Sequence, residues 1–376
     1  MSLMNRKPRL LRMGLPILLL SIVVLLMACT QAPVTGWSGP TVSQTSLYVG
    51  TIEGKVLALD ISESRPSVEW EESLESSSGG GALACGARLS TPMSTYGTPA
   101  VESGKVLVGG FDGLVYSIDV EDQAVKTFDT GSSIVGSPVV AGETIFIGNS
   151  DGSFYALDLQ LNARWTFETG DKIWATAAVS DGIVYIGSSD HYLYALDVET
   201  GDEIWSFETG GAVLSTPLVV DETVYVGSND NKFYAIDAAT GSETWAFESG
   251  SWFWTQGLWY DGEIWVGSLD RKVYSLDAES GESIWELETE GMVQSPPVLI
   301  QESIFVGSED GNIYSIDPVD KSSRILVSID EPVLAPIYAD QENGILYVHA
   351  QNGTHTLYAI EVDTGETLWS YETSGG

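Results

Sequence analysis

One short phrase with an acidic end recurs eight times along this chain. It reads VLALD at Asp60, VYSID at Asp119, FYALD at Asp158, LYALD at Asp197, FYAID at Asp237, VYSLD at Asp277, IYSID at Asp317 and LYAIE at Glu361. Successive copies lie 59, 39, 39, 40, 40, 40 and 44 residues apart. A unit of about 40 residues with several short strands cannot bury both of its faces alone, so it must pack on its neighbours. The spacing therefore predicts an all-β fold: an eight-bladed β-propeller with four-stranded antiparallel blades. The ring is read as one domain over residues 37–376, although 376 residues would by length allow two or three.

Residues 211–250 illustrate the unit. The apolar run 213–220 reads as the innermost strand, and Asp221-Glu222 as a turn. Residues 223–227 alternate as a second strand, Asn229-Asp230-Asn231 make a polar hairpin, 232–237 form a third strand and 243–248 the outer one. The repeated Asp suits a turn in which a carboxylate accepts backbone N–H groups. The repeated glycines Gly201, Gly241, Gly281 and Gly365 suit a positive φ. Trp165, Trp205, Trp245, Trp285 and Trp369 hold matching places on outer strands, where a large ring can wedge between blades. Trp70 holds that place in the first unit with a slight offset. Lys126 and Ile325 replace it in the second and seventh, which predicts looser docking there. Residues present in every blade are scaffold; chemistry occurs once.

The pattern TPxVxDxxVYVGSxDxxxYALDxxTGxxxW resembles the pyrroloquinoline-quinone (PQQ) repeat. Its clearest copies are residues 216–245 and 176–205, the latter with Ala177 in place of Pro. The resemblance spans roughly residues 37–373. That family includes quinoprotein dehydrogenases and also cofactor-free lipoproteins similar to the outer-membrane assembly factor BamB. The dehydrogenases carry a vicinal Cys pair over the quinone, whereas the two cysteines here, Cys29 and Cys85, are far apart in sequence. A tricarboxylate cofactor also calls for several Arg or Lys partners. The resemblance thus implies no cofactor and no catalysis. The alternatives are a PQQ-dependent dehydrogenase-like enzyme or a sensor of small ligands or metal ions.

The first 28 residues differ in kind. Arg6, Lys7, Arg9 and Arg12 precede an apolar run over 14–28 that ends Leu26-Met27-Ala28-Cys29. A basic segment, an apolar segment and a small residue before the cut describe a secretory signal. The run is short for a membrane span, and Pro16 interrupts it. The ending resembles a bacterial lipobox, which implies lipidation at Cys29 and an extracytoplasmic protein anchored to a bacterial membrane. Residues 1–28 are then the signal peptide and 29–36 a lipidated tether. Extended, residues 30–36 reach roughly 24 Å, which keeps the ring near the bilayer.

Those 28 residues hold four basic and no acidic side chains, so the remainder carries 12 basic against 53 acidic residues, a net charge of −41. Such a surface repels nucleic acid and anionic headgroups. With Cys29 lipidated, Cys85 has no intramolecular disulfide partner. The three histidines do not spell a metal site. His191 sits in a hairpin turn, and His349 and His355 flank a turn in the last unit without further ligands nearby. Asp151-Gly152 and Asp310-Gly311 read as hairpin turns rather than calcium loops.

One aligned position varies. Three residues before the inner-strand Pro or its equivalent stand Trp37, Tyr96, Val135, Trp174, Leu214, Trp254, Gln294 and Val333. The chain there enters the innermost strand, so these side chains should surround one mouth of the ring, with Trp252 and Phe253 adding aromatic surface. The longest insertion, residues 71–94, is Gly/Ser-rich, contains Cys85 and emerges on the same face. Trp37, Tyr96, Trp174, Trp252, Phe253, Trp254 and Cys85 are therefore the candidate binding set for protein partners of the cell envelope. The function expected is that of a non-catalytic scaffold.

Overall fold

The computed structural model describes residues 38–74, 94–352 and 354–373, and every helix-or-strand element among them is a β-strand. Eight four-stranded sheets follow one another in sequence, over residues 41–73, 100–129, 139–168, 178–208, 218–248, 258–288, 298–328 and 338–372. They are numbered blades 1–8. Contacts between neighbouring blades join their first strands, which places those strands at the centre of the ring. The signal, the tether, Trp37 and most of the insertion lie outside the described residues. Among the described residues no helix is long and apolar enough to cross a membrane.

In blade 5 the strands are Leu218–Val220, Thr223–Gly227, Lys232–Asp237 and Glu243–Glu248. The innermost strand is shorter than its apolar run suggests. Residues 213–217 leave the ladder because they are used between blades. Val213 is fully buried, and a Cβ placed on Gly187 of blade 4 would lie 2.5 Å from its Cγ1. Ser215 Oγ accepts from Gly227 N at 2.8 Å and donates to Gly227 O at 3.0 Å. The same plug recurs around the ring. Thr95, Ile134, Ile173, Val213, Phe253, Val293 and Val333 occupy the space left by Gly50, Gly109, Gly148, Gly187, Gly227, Gly267 and Gly307. Any side chain on those glycines would overlap its plug, since each ideal Cβ falls 1.9–2.5 Å from it.

A second contact lies farther out. Trp165, Trp205 and Trp245 stand opposite Ala156, Ala195 and Ala235 on the third strand. Each indole donates to a carbonyl of the following blade: Val198 O at 3.1 Å, Ala238 O at 2.9 Å and Ala278 O at 3.1 Å. Each ring lies on the turn glycine of that blade, with a Cβ on Gly201, Gly241 or Gly281 falling 2.5–2.7 Å away. Trp70 faces Ala58 in the same register, so the expected offset is absent. The extra residues of blade 1 are taken up in the turn before it. The expected looseness where Trp is missing is also corrected. Leu161 fills the junction after blade 2 and Leu326 the junction after blade 7, and both are buried.

Eight apolar clusters accordingly lie between blades, one per junction. The cluster joining blades 8 and 1 combines Tyr347, Leu357 and Ala359 with Leu47, Val49, Leu57 and Leu59. Tyr338 Oη donates to Val42 O at 3.3 Å across the same junction. Both terminal blades keep four strands of their own, so the ring closes by packing without sharing a strand.

The repeated Asp residues cap turns. Asp197 Oδ1 accepts Glu199 N at 3.0 Å and Thr200 N at 2.9 Å, and Asp237 and Asp277 accept Thr240 N and Ser280 N at 2.8 Å. The backbone amide of Thr200 holds the Asp197 carboxyl below its usual range. The side chains of Thr240 and Ser280 do most of the same at Asp237 and Asp277.

Two predictions follow from these contacts. Gly182 and Gly241 both have positive φ, at 80° and 70°, but only Gly241 has a neighbour within contact of an added Cβ. Gly182→Ala should cost about 1–2 kcal/mol of backbone strain. Gly241→Ala should cost about 1–3 kcal/mol more, because Trp205 must move; equal denaturation midpoints would refute the docking. The lowered carboxyls stabilise the fold fully above the ordinary Asp pKa and lose that contribution as pH falls through the folded value. A triple D197N/D237N/D277N variant should therefore melt below the parent at pH 6. The gap should narrow below about pH 4, and a gap that persists unchanged in acid would contradict the assignment.

Candidate partner-binding face

An up-and-down four-stranded blade puts its second-to-third hairpin at the same end as the connection to the next blade. Around the ring, that end carries eight hairpins and the lead-ins to the first strands. Burial alternates along the lead-ins of blades 2–8. In blade 5, Val213, Ser215 and Pro217 are buried while Leu214 and Thr216 are half-buried. The first buried position is the plug. The second is small in every blade: Ser38, Gly97, Gly136, Ala175, Ser215, Thr255, Ser295 and Ala335. Blades approach closely there, and a Cβ on Gly136 would lie 2.8 Å from Ala175 O. The half-buried position between them is the variable one.

Tyr96, Val135, Trp174, Leu214, Trp254 and Gln294 occupy it in blades 2–7, all half-buried. Trp37 falls outside the described residues. In blade 8 the position belongs to Leu334. Pro336 aligns with Pro296 rather than Pro297, so Val333 is the buried plug and not a member of the mouth. Phe253 is corrected in the same way. It is fully buried, packed on Phe233 at 5.4 Å and Tyr274 at 6.2 Å, and fills the space over Gly227. Cys85 and Cys29 lie outside the described residues.

The candidates form separate stations around the mouth. Tyr96 packs on Phe111 of the blade 2 hairpin at 5.3 Å, and Phe111 is 37% exposed. Trp174 donates from Nε1 to Ser150 Oγ at 2.9 Å, and the Lys172 ammonium lies 5.2 Å from its ring centroid. Trp252 is 43% exposed beside half-buried Trp254. Burial raises the Tyr96 phenol above its usual range, and burial likewise raises the Glu331 carboxyl near Leu334. Outside this apolar set, Asp129, Glu168, Glu208, Glu248, Glu288 and Glu372 end the outer strands and are exposed. The face thus has aromatic stations within and carboxylates at the rim.

Clips hold this face in place. Asp190, Asp230, Asp270 and Asp310 in the hairpins each accept a Tyr hydroxyl, from Tyr194, Tyr234, Tyr274 and Tyr314, at 2.5–2.8 Å. The same carboxylates accept lead-in amides of Gly170, Gly210, Gly250 and Glu290 at 2.6–2.9 Å. Desolvation, then the bond to Asp310, pushes Tyr314 up to about 12. Asp310 is therefore a turn clip, as the sequence suggests.

Sequence reasoning misses Phe111 and Trp259. Phe111 stands where the other hairpins carry Ser150, Ser189, Asn229, Leu269 and Glu309, a contrast visible on alignment. Trp259 lies midway along the innermost strand of blade 6, 42% exposed, where most blades carry Val. Neither ring nitrogen of His349 faces outward, since both bond within the fold. Among the described residues no three His, Cys, Asp or Glu gather as cation ligands.

A family model described as outer membrane protein assembly factor BamB matches residues 26–164, 161–252, 254–324 and 269–376. No curated protein matches the chain. The crystal structure of BamB from Moraxella catarrhalis is 18% identical, covering 85% of this chain and 95% of that one with a TM-score of 0.69. The computationally designed Ika8 protein is 16% identical, covering 87% and 96% with a TM-score of 0.70. At these identities the solved structures speak for the fold.

Proposed function

Since the chain belongs to the family described as outer membrane protein assembly factor BamB, we propose that it is a non-catalytic scaffold for protein partners in the cell envelope. It works outside the cytoplasm, held to a membrane by lipid on Cys29. The observation that carries this reading is the set of aromatic stations at the mouth. Exposed Trp252 with half-buried Trp254, Trp174 and Tyr96 gives large, rigid apolar contacts, the type that dominates binding hot spots. The lipobox-like Leu26-Met27-Ala28-Cys29 supports the anchor, and residues 29–36 the short tether. The Gly/Ser-rich insertion around Cys85 enters the ring directly ahead of Tyr96, which favours its membership of the same face.

A quinone cofactor does not suit this chain. Its two cysteines stand at 29 and 85, and both nitrogens of buried His349 bond within the fold. Adding PQQ with calcium should leave the quinone absorbance unshifted; a saturable shift would restore the dehydrogenase reading.

The partner test uses full-length protein in native envelopes, crosslinked and purified. Replacing Trp174 and Trp254 together by Ala should cut partner capture by about tenfold or more while the thermal transition stays cooperative. Undiminished capture by that folded variant would sink the assignment of the mouth.

A further inference from the structure

Seven junctions share one plug. A glycine near the end of the second strand makes room, and an apolar or Thr side chain five residues ahead of the next first strand fills it. The eighth junction, where the ring closes, departs from the rule at the glycine position of blade 8. His349 pairs with Leu357 as Gly227 pairs with Phe233, so it stands in the glycine position of blade 8. In sequence, the residue five ahead of Thr41–Ser43 is Gly36, which lies outside the described residues.

His349 is only 1% exposed. Its Nδ1 lies 2.7 Å from Ser38 O, and because a carbonyl only accepts, Nδ1 carries the proton. Its Nε2 lies 3.1 Å from Thr373 Oγ1. One imidazole on the second strand of blade 8 thus bonds both the lead-in of the first strand and the end of the last outer strand.

We infer that His349 is the latch that closes the ring, in place of the apolar or Thr plug of the other seven junctions. The inference is independent of the partner-binding reading. An apolar plug is non-directional and leaves register to the surrounding chain. At the other junctions the chain is continuous and register comes with it. Blades 8 and 1 are joined by no connection and share no strand. Two directional bonds from a buried ring set where Ser38 sits against blade 8, and leaving either partner unpaired in that interior is costly.

Hydrogen exchange on the full-length protein tests this. His349→Leu keeps a buried apolar side chain but removes both bonds. Exchange at Thr41–Ser43 and Ser46–Gly50 should quicken by about tenfold or more, while Ile183–Gly187 and Thr223–Gly227 stay at parental rates. Unchanged exchange in blade 1, or an equal rise in all blades, would overturn the latch. If His349→Leu does not fold, His349→Met, which likewise offers no directional bond to the carbonyl, is read by the same criteria.

Discussion

Seven of the eight junctions of this ring depend on a side chain of one blade occupying space that a glycine of its neighbour leaves empty. The contact is made twice with opposite polarity. Near the axis, the incoming lead-in fills the glycine of the blade behind it, as Val213 does over Gly187. Farther out, Trp205 of the blade behind reaches forward onto Gly241. A blade is thus gripped in both directions, and its apolar faces are buried only when the neighbour is present. Dense packing of this kind punishes added volume as well as lost volume. That is why the glycines recur as regularly as the tryptophans.

The repeat was legible because its period carries the whole architecture. Blade number, strand count, the capping Asp and the docking Trp all follow from residues that return every 40 positions or so. What escaped was the sidedness of the lead-ins. Trp252, Phe253 and Trp254 look alike as a sequence, yet the middle ring is core and its neighbours are surface. Alternation alone does not say which parity faces the glycine. The mis-set Val333 has a related cause: consecutive prolines at 296 and 297 gave two anchors for one alignment. The innermost strand was overlong for the same physical reason, since β-branched residues serve a plug as well as a ladder. His349 looked like a turn residue because its bonding partners lie some 311 and 24 positions away.

Departures from the repeat divide into two kinds. Some repair the scaffold. Leu161 and Leu326 fill junctions that lack Trp. Lys321 stands in a turn-glycine position with φ 61°, pairs with Glu263 and lies 4.5 Å from the centroid of Trp265. Others have no such partner in the next blade. Trp252 and Trp259 stay exposed although the scaffold around them is complete, and the hairpin clips from Asp270 and Asp310 fix the loops on either side. A side chain that solves no packing problem, held on a rigid frame, is where a partner is most economically read.

The acidic charge fits the same division. A net charge of −37 is borne with five ion pairs among the described residues, none of them between fully buried side chains. Exposed pairs of this type contribute little. Most carboxylates that bond at all accept turn amides and hydroxyls instead, which satisfies the charge locally and asks nothing of distant cations. The fold therefore asks for few basic residues, and its surface is free to be acidic. Carboxylates such as Glu208, Glu248 and Glu288 at the ends of outer strands then surround the aromatic mouth without weakening the junctions beneath it. Fold and surface charge are set by separate residues, so the face can be tuned to a partner while the glycine contacts stay fixed.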